Sequence, residues 1–170
     1  AYINYSRQRS FVTDLKDYPN LVVMQTFSKA WGLAALRLGM IFASKDIVGV
    51  LNKIKPPYNI NQATQELALK ALDNLQDVNN MIQETVKERE ELVKELSALS
   101  LVQKIFPSDA NFILVKMEEA TAIYNYLKEQ GIIVRNRSNV LLCEDSLRIT
   151  VGTPGQNAQL ITALKDYKKD

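Results

Sequence analysis

The sequence predicts an α/β fold in two parts, and three observations carry that reading. Short apolar runs of strand length alternate with stretches of helical periodicity along most of the chain. A long amphipathic stretch, residues 75–99, stands between an earlier and a later strand-bearing half. From Leu101 onward the order becomes strand, strand, helix, strand, a βαβ-rich pattern. A first domain over 1–74 and a second α/β domain over 75–170 follow from these boundaries.

Residues 1–6 read as the end of a strand carrying Tyr2, and Ser10–Asp17 as a short helix before the Tyr18-Pro19-Asn20 turn. Leu21-Val22-Val23-Met24 opens a strand to Thr26, with the branching of one buried on both faces. Leu38–Ser44 reads as another buried strand, after which Ser44 caps a helix from Lys45. Pro56 disfavours the helical region at Lys55 and ends that helix. Asn61 is placed to cap the next one, with Ala63, Leu67, Ala68, Ala71 and Leu72 along one side. The 75–99 helix keeps Val78, Ile82, Val86, Leu92, Val93, Leu96 and Leu99 apolar, but Glu88-Arg89-Glu90-Glu91 interrupts any zipper seam.

In the second half, strands are predicted over Val102–Phe106, Phe112–Met117, Ile132–Arg137, Val140–Cys143 and Leu147–Val151. A helix opening at Glu118 or Glu119 runs to Gly131, where glycine suits a left-handed stop. Pro154 starts the last helix.

Composition narrows the function classes. The 170 residues are 46% hydrophobic and 24% charged with a formal charge of +2, ordinary for a globular protein. No basic block stands out beyond Lys168-Lys169, so nothing electrostatic points to nucleic acid. No apolar run reaches the roughly 18 residues that cross a bilayer. The single cysteine, Cys143, excludes an internal disulfide, suits a reducing, cytoplasmic compartment, and lies in an apolar run that predicts a buried thiol. With no histidine, Ser-His-Asp and Cys-His catalysis within the chain are excluded and a metal site is not expected.

The chemistry gathers at Thr26-Phe27-Ser28-Lys29-Ala30-Trp31-Gly32, with Arg37 eight residues beyond the lysine. A strand ending here would present two hydroxyls and an amine at its carboxyl end, where α/β sheets bind ligands. Phe27, Ala30, Trp31 and Leu33 surround Lys29 in sequence, and desolvation among them would favour the neutral, nucleophilic amine. Such an amine can form a Schiff base with an aldehyde, while Thr26, Ser28 and the planar fork of Arg37 could hold a phosphate. An aldehyde and a phosphate on one molecule describe pyridoxal 5'-phosphate.

The ordered set Thr-x-Ser-Lys-Ala-x-Gly-Leu-x-x-x-Arg-x-Gly resembles the lysine motif of fold-type I pyridoxal-phosphate aminotransferases. Together with Asp109-Ala110-Asn111-Phe112-Ile113-Leu114-Val115, Gly131–Ser138 and Leu147-Arg148-Ile149-Thr150-Val151-Gly152-Thr153-Pro154, it is similar to the histidinol-phosphate aminotransferase family. Ala35 departs from the pattern, since many members carry a second glycine there. The resemblance implies the C-terminal portion of the fold-type I transferase fold: a remnant of the large-domain sheet and a complete small α/β domain. It also implies that Ala1 continues a strand whose preceding residues include the aspartate that pairs with the pyridine nitrogen, so the chain reads as the C-terminal half of a homodimeric enzyme.

By the same resemblance Lys29 is the catalytic lysine, which carries the cofactor and then moves the proton between Cα and C4′. Thr26, Ser28 and Arg37 face the cofactor phosphate, and Tyr2 its phenolic oxygen. Arg148 clamps the substrate carboxylate; a structural salt bridge is the alternative for an arginine in so apolar a strand. Arg135 is assigned to the substrate phosphate, with Arg137 able to contribute instead, since residues two apart share a strand face. Asn111 and Tyr58 are further candidates for the site or subunit boundary. The implied reaction is transamination between histidinol phosphate and 2-oxoglutarate. A threonine-phosphate decarboxylase, an aromatic aminotransferase, or a folded but inactive domain are the alternatives.

Overall fold

In the computed structural model, residues 1–168 are described; Lys169 and Asp170, which close the predicted second domain, lie outside the described residues. The chain divides into two units, Ala1–Ile82 and Gln83–Asp170.

The first unit holds a two-stranded antiparallel ribbon, β1 (Val23–Thr26) and β2 (Gly39–Phe42), with Thr26 opposite Gly39 and Val23 opposite Phe42. The apolar run of β1 therefore does not belong to a strand buried on both faces. Met24 is 72% exposed and Val22 and Ile41 are also exposed, because a ribbon of two strands has one face turned away from its own packing. Ahead of it, residues 1–6 form no strand; a 3₁₀ turn covers Ile3–Tyr5 and buries Tyr5. A second 3₁₀ turn, Phe11–Asp14, takes the place of the predicted short helix, with Ser10 accepting the Val12 N–H at 3.2 Å.

Helix α1 (Lys45–Ile54) starts after Ser44, which holds the N-cap position but makes no side-chain capping hydrogen bond, and ends at an extended Lys55, where Pro56 forbids another turn. Helix α2 (Gln62–Asp73) is capped by Asn61, whose Oδ1 accepts the Thr64 N–H at 2.8 Å. Only Thr64 and Ala68 of α2 are buried, and Leu67 and Leu72 on its predicted apolar side are exposed. Helix α3 (Leu75–Ser97) begins in the first unit and ends in the second.

The second unit is built on a four-stranded sheet of order β3-β4-β6-β5, from β3 (Val102–Phe106), β4 (Phe112–Met117), β5 (Arg135–Asn136) and β6 (Ser146–Thr150). Neighbouring strands are all antiparallel, although helix α4 (Ala120–Glu129) carries the chain from β4 across to the far edge. Alternation along β4 and β6 turns Ile113, Val115, Met117, Leu147 and Ile149 inward. There they meet Leu92 and Leu96 of α3, Ile123 and Leu127 of α4, and Leu160, Ile161 and Leu164 of α5 (Pro154–Asp166). The unit is thus a helix layer on one face of a sheet.

Two predicted strands contract. Ile132–Arg137 pairs only at Arg135–Asn136. Val140–Cys143 is a turn rather than a strand: Leu142 has φ 65°, Leu141 and Leu142 are exposed, and Cys143 is half-buried rather than sequestered. Hydrogen bonds from Val140 N to Arg137 O and from Cys143 N to Val140 O fold this segment on itself, so it cannot join a ladder.

The helix ends follow from local chemistry. Thr153 and Gln156 form a reciprocal capping box with Pro154 in the first turn of α5. After α4, Gly131 takes φ 75°, its N–H donating to Lys128 O while Ile132 N–H donates to Leu127 O. No atom would crowd a Cβ at Gly131, so its cost there would be backbone strain alone. Gly131→Ala should lower the stability of the second unit by about 1 kcal/mol in urea denaturation. An unchanged midpoint would mean that the left-handed stop contributes nothing.

Candidate active site

At the end of β1 the chain turns back within a few residues. Phe27 N–H donates to Leu38 O at 3.2 Å, and Leu33 N–H to Phe27 O at 3.0 Å. Phe27 and Ala30 are buried, and the Phe27 and Trp31 rings lie 5.1 Å apart at 53°. Gly32 completes the turn at φ 67°, which a residue with a Cβ adopts only under strain.

With Phe27 and Ala30 held inward, Lys29 points out. It is exposed, so the desolvation expected from its apolar sequence neighbours is not supplied by this unit. Phe27 and Ala30 take the inward positions of this turn, which leaves Ser28 and Lys29 between them to face elsewhere. The hydroxyls of Thr26 and Ser28 lie 2.8 Å apart with Thr26 donating, and Thr26 Oγ1 also accepts the Ser28 N–H at 3.0 Å. Arg37 ends a 3₁₀ turn over Ala34–Leu36 at φ 51°, an uncommon conformation for a residue with a side chain, and its guanidinium donates to Ala34 O at 3.0 Å. The segment from Thr26 to Arg37 thus carries two coupled hydroxyls, an exposed lysine and an exposed arginine. That donor set fits a small molecule bearing both a phosphate and an aldehyde.

Tyr2 is half-buried and Tyr5 is buried, 5% exposed. Burial pushes the Tyr5 phenol above its ordinary value, and proximity to Tyr2 adds to the effect.

A second constellation lies on the sheet of the second unit. Arg148 and Arg135 are direct cross-strand partners on β6 and β5, so their side chains leave the same face. The Arg148 guanidinium stacks 5.1 Å from the centroid of the Phe112 ring, and its Nε is buried without a hydrogen-bond partner. No salt bridge answers Arg148 among the described residues, so the structural-ion-pair alternative finds no support. Arg135 is exposed and Arg137 half-buried, with Arg137 N–H donating to Ser146 O at 2.8 Å. Asn111 is half-buried and its carbonyl accepts the Val151 N–H at 2.9 Å, while Tyr58 is 95% exposed. Lys29, Thr26, Ser28, Arg37 and Tyr2 therefore belong to the first unit, and Arg135, Arg137 and Arg148 to the second. Sequence reasoning missed Phe112 as a support for Arg148, because that contact needs the β4–β6 register, which no local pattern reveals.

Comparison with known proteins accords with the donor set. The model of the family described as aminotransferase class I and II matches residues 1–164. The chain belongs to this family. A protein of Cytophaga hutchinsonii named histidinol-phosphate aminotransferase is 53% identical over 167 residues, covering 98% of this chain and 48% of that protein. Among solved structures, L-threonine-O-3-phosphate decarboxylase from Porphyromonas gingivalis superposes with a TM-score of 0.83 at 28% identity, over 96% of this chain and 52% of that one. Histidinol-phosphate aminotransferase from Sinorhizobium meliloti, in complex with pyridoxal-5'-phosphate, superposes with a TM-score of 0.82 at 24% identity, over 96% of this chain and 46% of that one. The chain spans about half the length of the curated relatives it matches, and its fold is that part of the fold-type I architecture. Among the described residues no helix is long and apolar enough to cross a membrane, and no acidic or cysteine cluster could hold a metal.

The Tyr5 phenol yields a stability prediction. Because its folded value is raised, the folded state holds the proton more tightly than the unfolded chain. Its contribution is fully present below about pH 10, the ordinary phenol value, and is lost as pH rises toward the higher folded value. Tyr5→Phe should flatten the fall in urea midpoint above about pH 10. Identical alkaline profiles for the two proteins would place the phenol in solvent.

Proposed function

We propose that this chain supplies the lysine turn and the substrate-anion side chains of a pyridoxal-phosphate-dependent histidinol-phosphate aminotransferase. The first unit would hold the cofactor and the second the substrate anions. The observation that carries this reading is the exposed Lys29 amine beside the Thr26–Ser28 hydroxyl pair, 2.8 Å apart, in one tight turn. The 53% identity to a protein of that name, against 28% to the phosphate decarboxylase, favours histidinol phosphate over the decarboxylase substrate.

When bound, pyridoxal phosphate supplies an electron sink for the electrons released at the substrate Cα. Thr26, Ser28 and Arg37 would anchor its phosphate through hydroxyl and guanidinium donors. Tyr2 would donate to its phenolic oxygen. Lys29 would take the proton from the substrate Cα and return it at the cofactor's C4′, across the intervening nitrogen.

The two half-reactions pose a recognition problem, because histidinol phosphate has no α-carboxylate and glutamate has one. Arg148 answers the carboxylate with a planar fork whose Nε is still unpaired. Arg135 answers the phosphate, and Arg137 shares its strand face. Subunit pairing into a homodimer completes the proposal.

Two outcomes test it. Lys29→Ala should lower transamination by at least about 100-fold. It should also abolish borohydride-stable labelling by pyridoxal phosphate, which peptide mapping should otherwise find on Lys29. Label retained in that variant would move the chemistry elsewhere. Arg148→Gln should reduce kcat/KM for glutamate by about 10- to 100-fold, the loss of charged hydrogen bonds, with a smaller effect on histidinol phosphate. Equal losses on both substrates would remove the carboxylate assignment.

A further inference from the structure

The strands of the second unit carry an unusual distribution of charge. β3, β4, β5 and β6 contain Lys104, Lys116, Arg135 and Arg148 and no acidic residue. All four leave the sheet on the face opposite the core. Their neighbours in sequence, Ile105, Val115, Leu147 and Ile149, pack inward, and alternation sends the next residue outward.

The register sorts these side chains into two rungs. In one, Lys104 stands opposite Lys116, Lys116 opposite Ser146, and the Arg137 N–H bonds Ser146 O on the far side. In the other, Phe106 stands opposite Leu114, Leu114 opposite Arg148, and Arg148 opposite Arg135. Lys104 Nζ lies 4.7 Å from the Phe106 centroid, so its ammonium leans from the first rung over the second. None of the five cations is in an ion pair among the described residues. The acidic residues flanking the strands, Asp109, Glu118, Glu144 and Asp145, lie beyond their ends, and Glu144 accepts the Leu142 N–H.

Like charges directly opposite one another weaken a sheet. This one holds two such pairs, Lys104 with Lys116 and Arg135 with Arg148, and among the described residues none of the four is in an ion pair. A row of cations on one face is arranged to attract a dianion from solution. The transamination reading gives Lys104 and Lys116 no role.

We propose that Lys104, Lys116 and Arg137 form an outer rung that collects phosphate monoester dianions beside the Arg135–Arg148 pair. The proposal rests on the transamination reading only for which phosphate ester is used, and its test does not depend on turnover. Phenyl phosphate titrated calorimetrically into the full chain at low ionic strength should bind about 10-fold more weakly to the Lys104→Gln/Lys116→Gln protein. That gap should close near 1 M salt, where charges are screened within about 3 Å. Equal affinities at low salt would overturn the proposal. Inorganic phosphate, titrated in parallel, separates the free anion from the ester: sensitivity of inorganic phosphate alone to the substitutions would also overturn it. Without ligand, the doubly substituted protein should melt at or above the temperature of the unsubstituted one, since an opposed ammonium pair is gone. A lower melting temperature would mark the lysines as structural and reject the role. Failure of histidinol phosphate to turn over would count against the transamination reading and leave these binding constants to decide this one.

Discussion

The second unit depends on the antiparallel pairing of β4 with β6. Five matched positions, from Phe112 opposite Thr150 to Lys116 opposite Ser146, fix which residues share a face. Because the side-chain period of a strand is two, one register sends Ile113, Val115, Leu147 and Ile149 into the helix layer and Leu114, Lys116 and Arg148 away from it. A slip by one residue would bury Arg148 and expose Ile149. Burial of the aliphatic set therefore also fixes the position of the guanidinium, and the Phe112 ring on the neighbouring strand steadies it.

In the first unit the same coupling of packing to chemistry operates through a turn. Phe27 and Ala30 are the inward anchors, and the two residues between them, Ser28 and Lys29, are left to face elsewhere. Gly32 and Arg37 both take left-handed backbone conformations within six residues, so the segment is bent sharply twice. Such strain persists where surrounding structure over-determines it, and here it clusters around the amine and the hydroxyl pair.

Both constellations oppose stability locally. The arginine Nε left unpaired on β6 and the facing cations on β3–β4 and β5–β6 would each be removed by a sequence selected for folding alone. On the function proposed above, anions arriving as ligands would account for them: a carboxylate for the fork of Arg148 and phosphate for its neighbours. The helix layer beneath, with Leu92, Leu96, Ile123, Leu127 and Leu164 fully buried, gives the sheet a rigid base that tolerates this cost.

What the sequence by itself determined were features set within a few residues: the cap at Asn61, the start of the last helix at Pro154, the stops at Lys55 and Gly131, the five α-helices, the lysine motif and the α/β class. Side-chain hydrogen bonds, proline geometry and glycine freedom act locally, so they are legible locally. Tertiary structure alone decided which apolar runs are buried. Leu21–Met24 became half of an open ribbon and Val140–Cys143 a turn, because burial depends on what packs opposite, not on hydrophobicity. It also turned Lys29 outward among apolar neighbours, set Arg135 opposite Arg148, and laid Phe112 beside its guanidinium. Those relations join residues far apart in the chain through strand register and a turn's direction, which exist only once the sheet has paired.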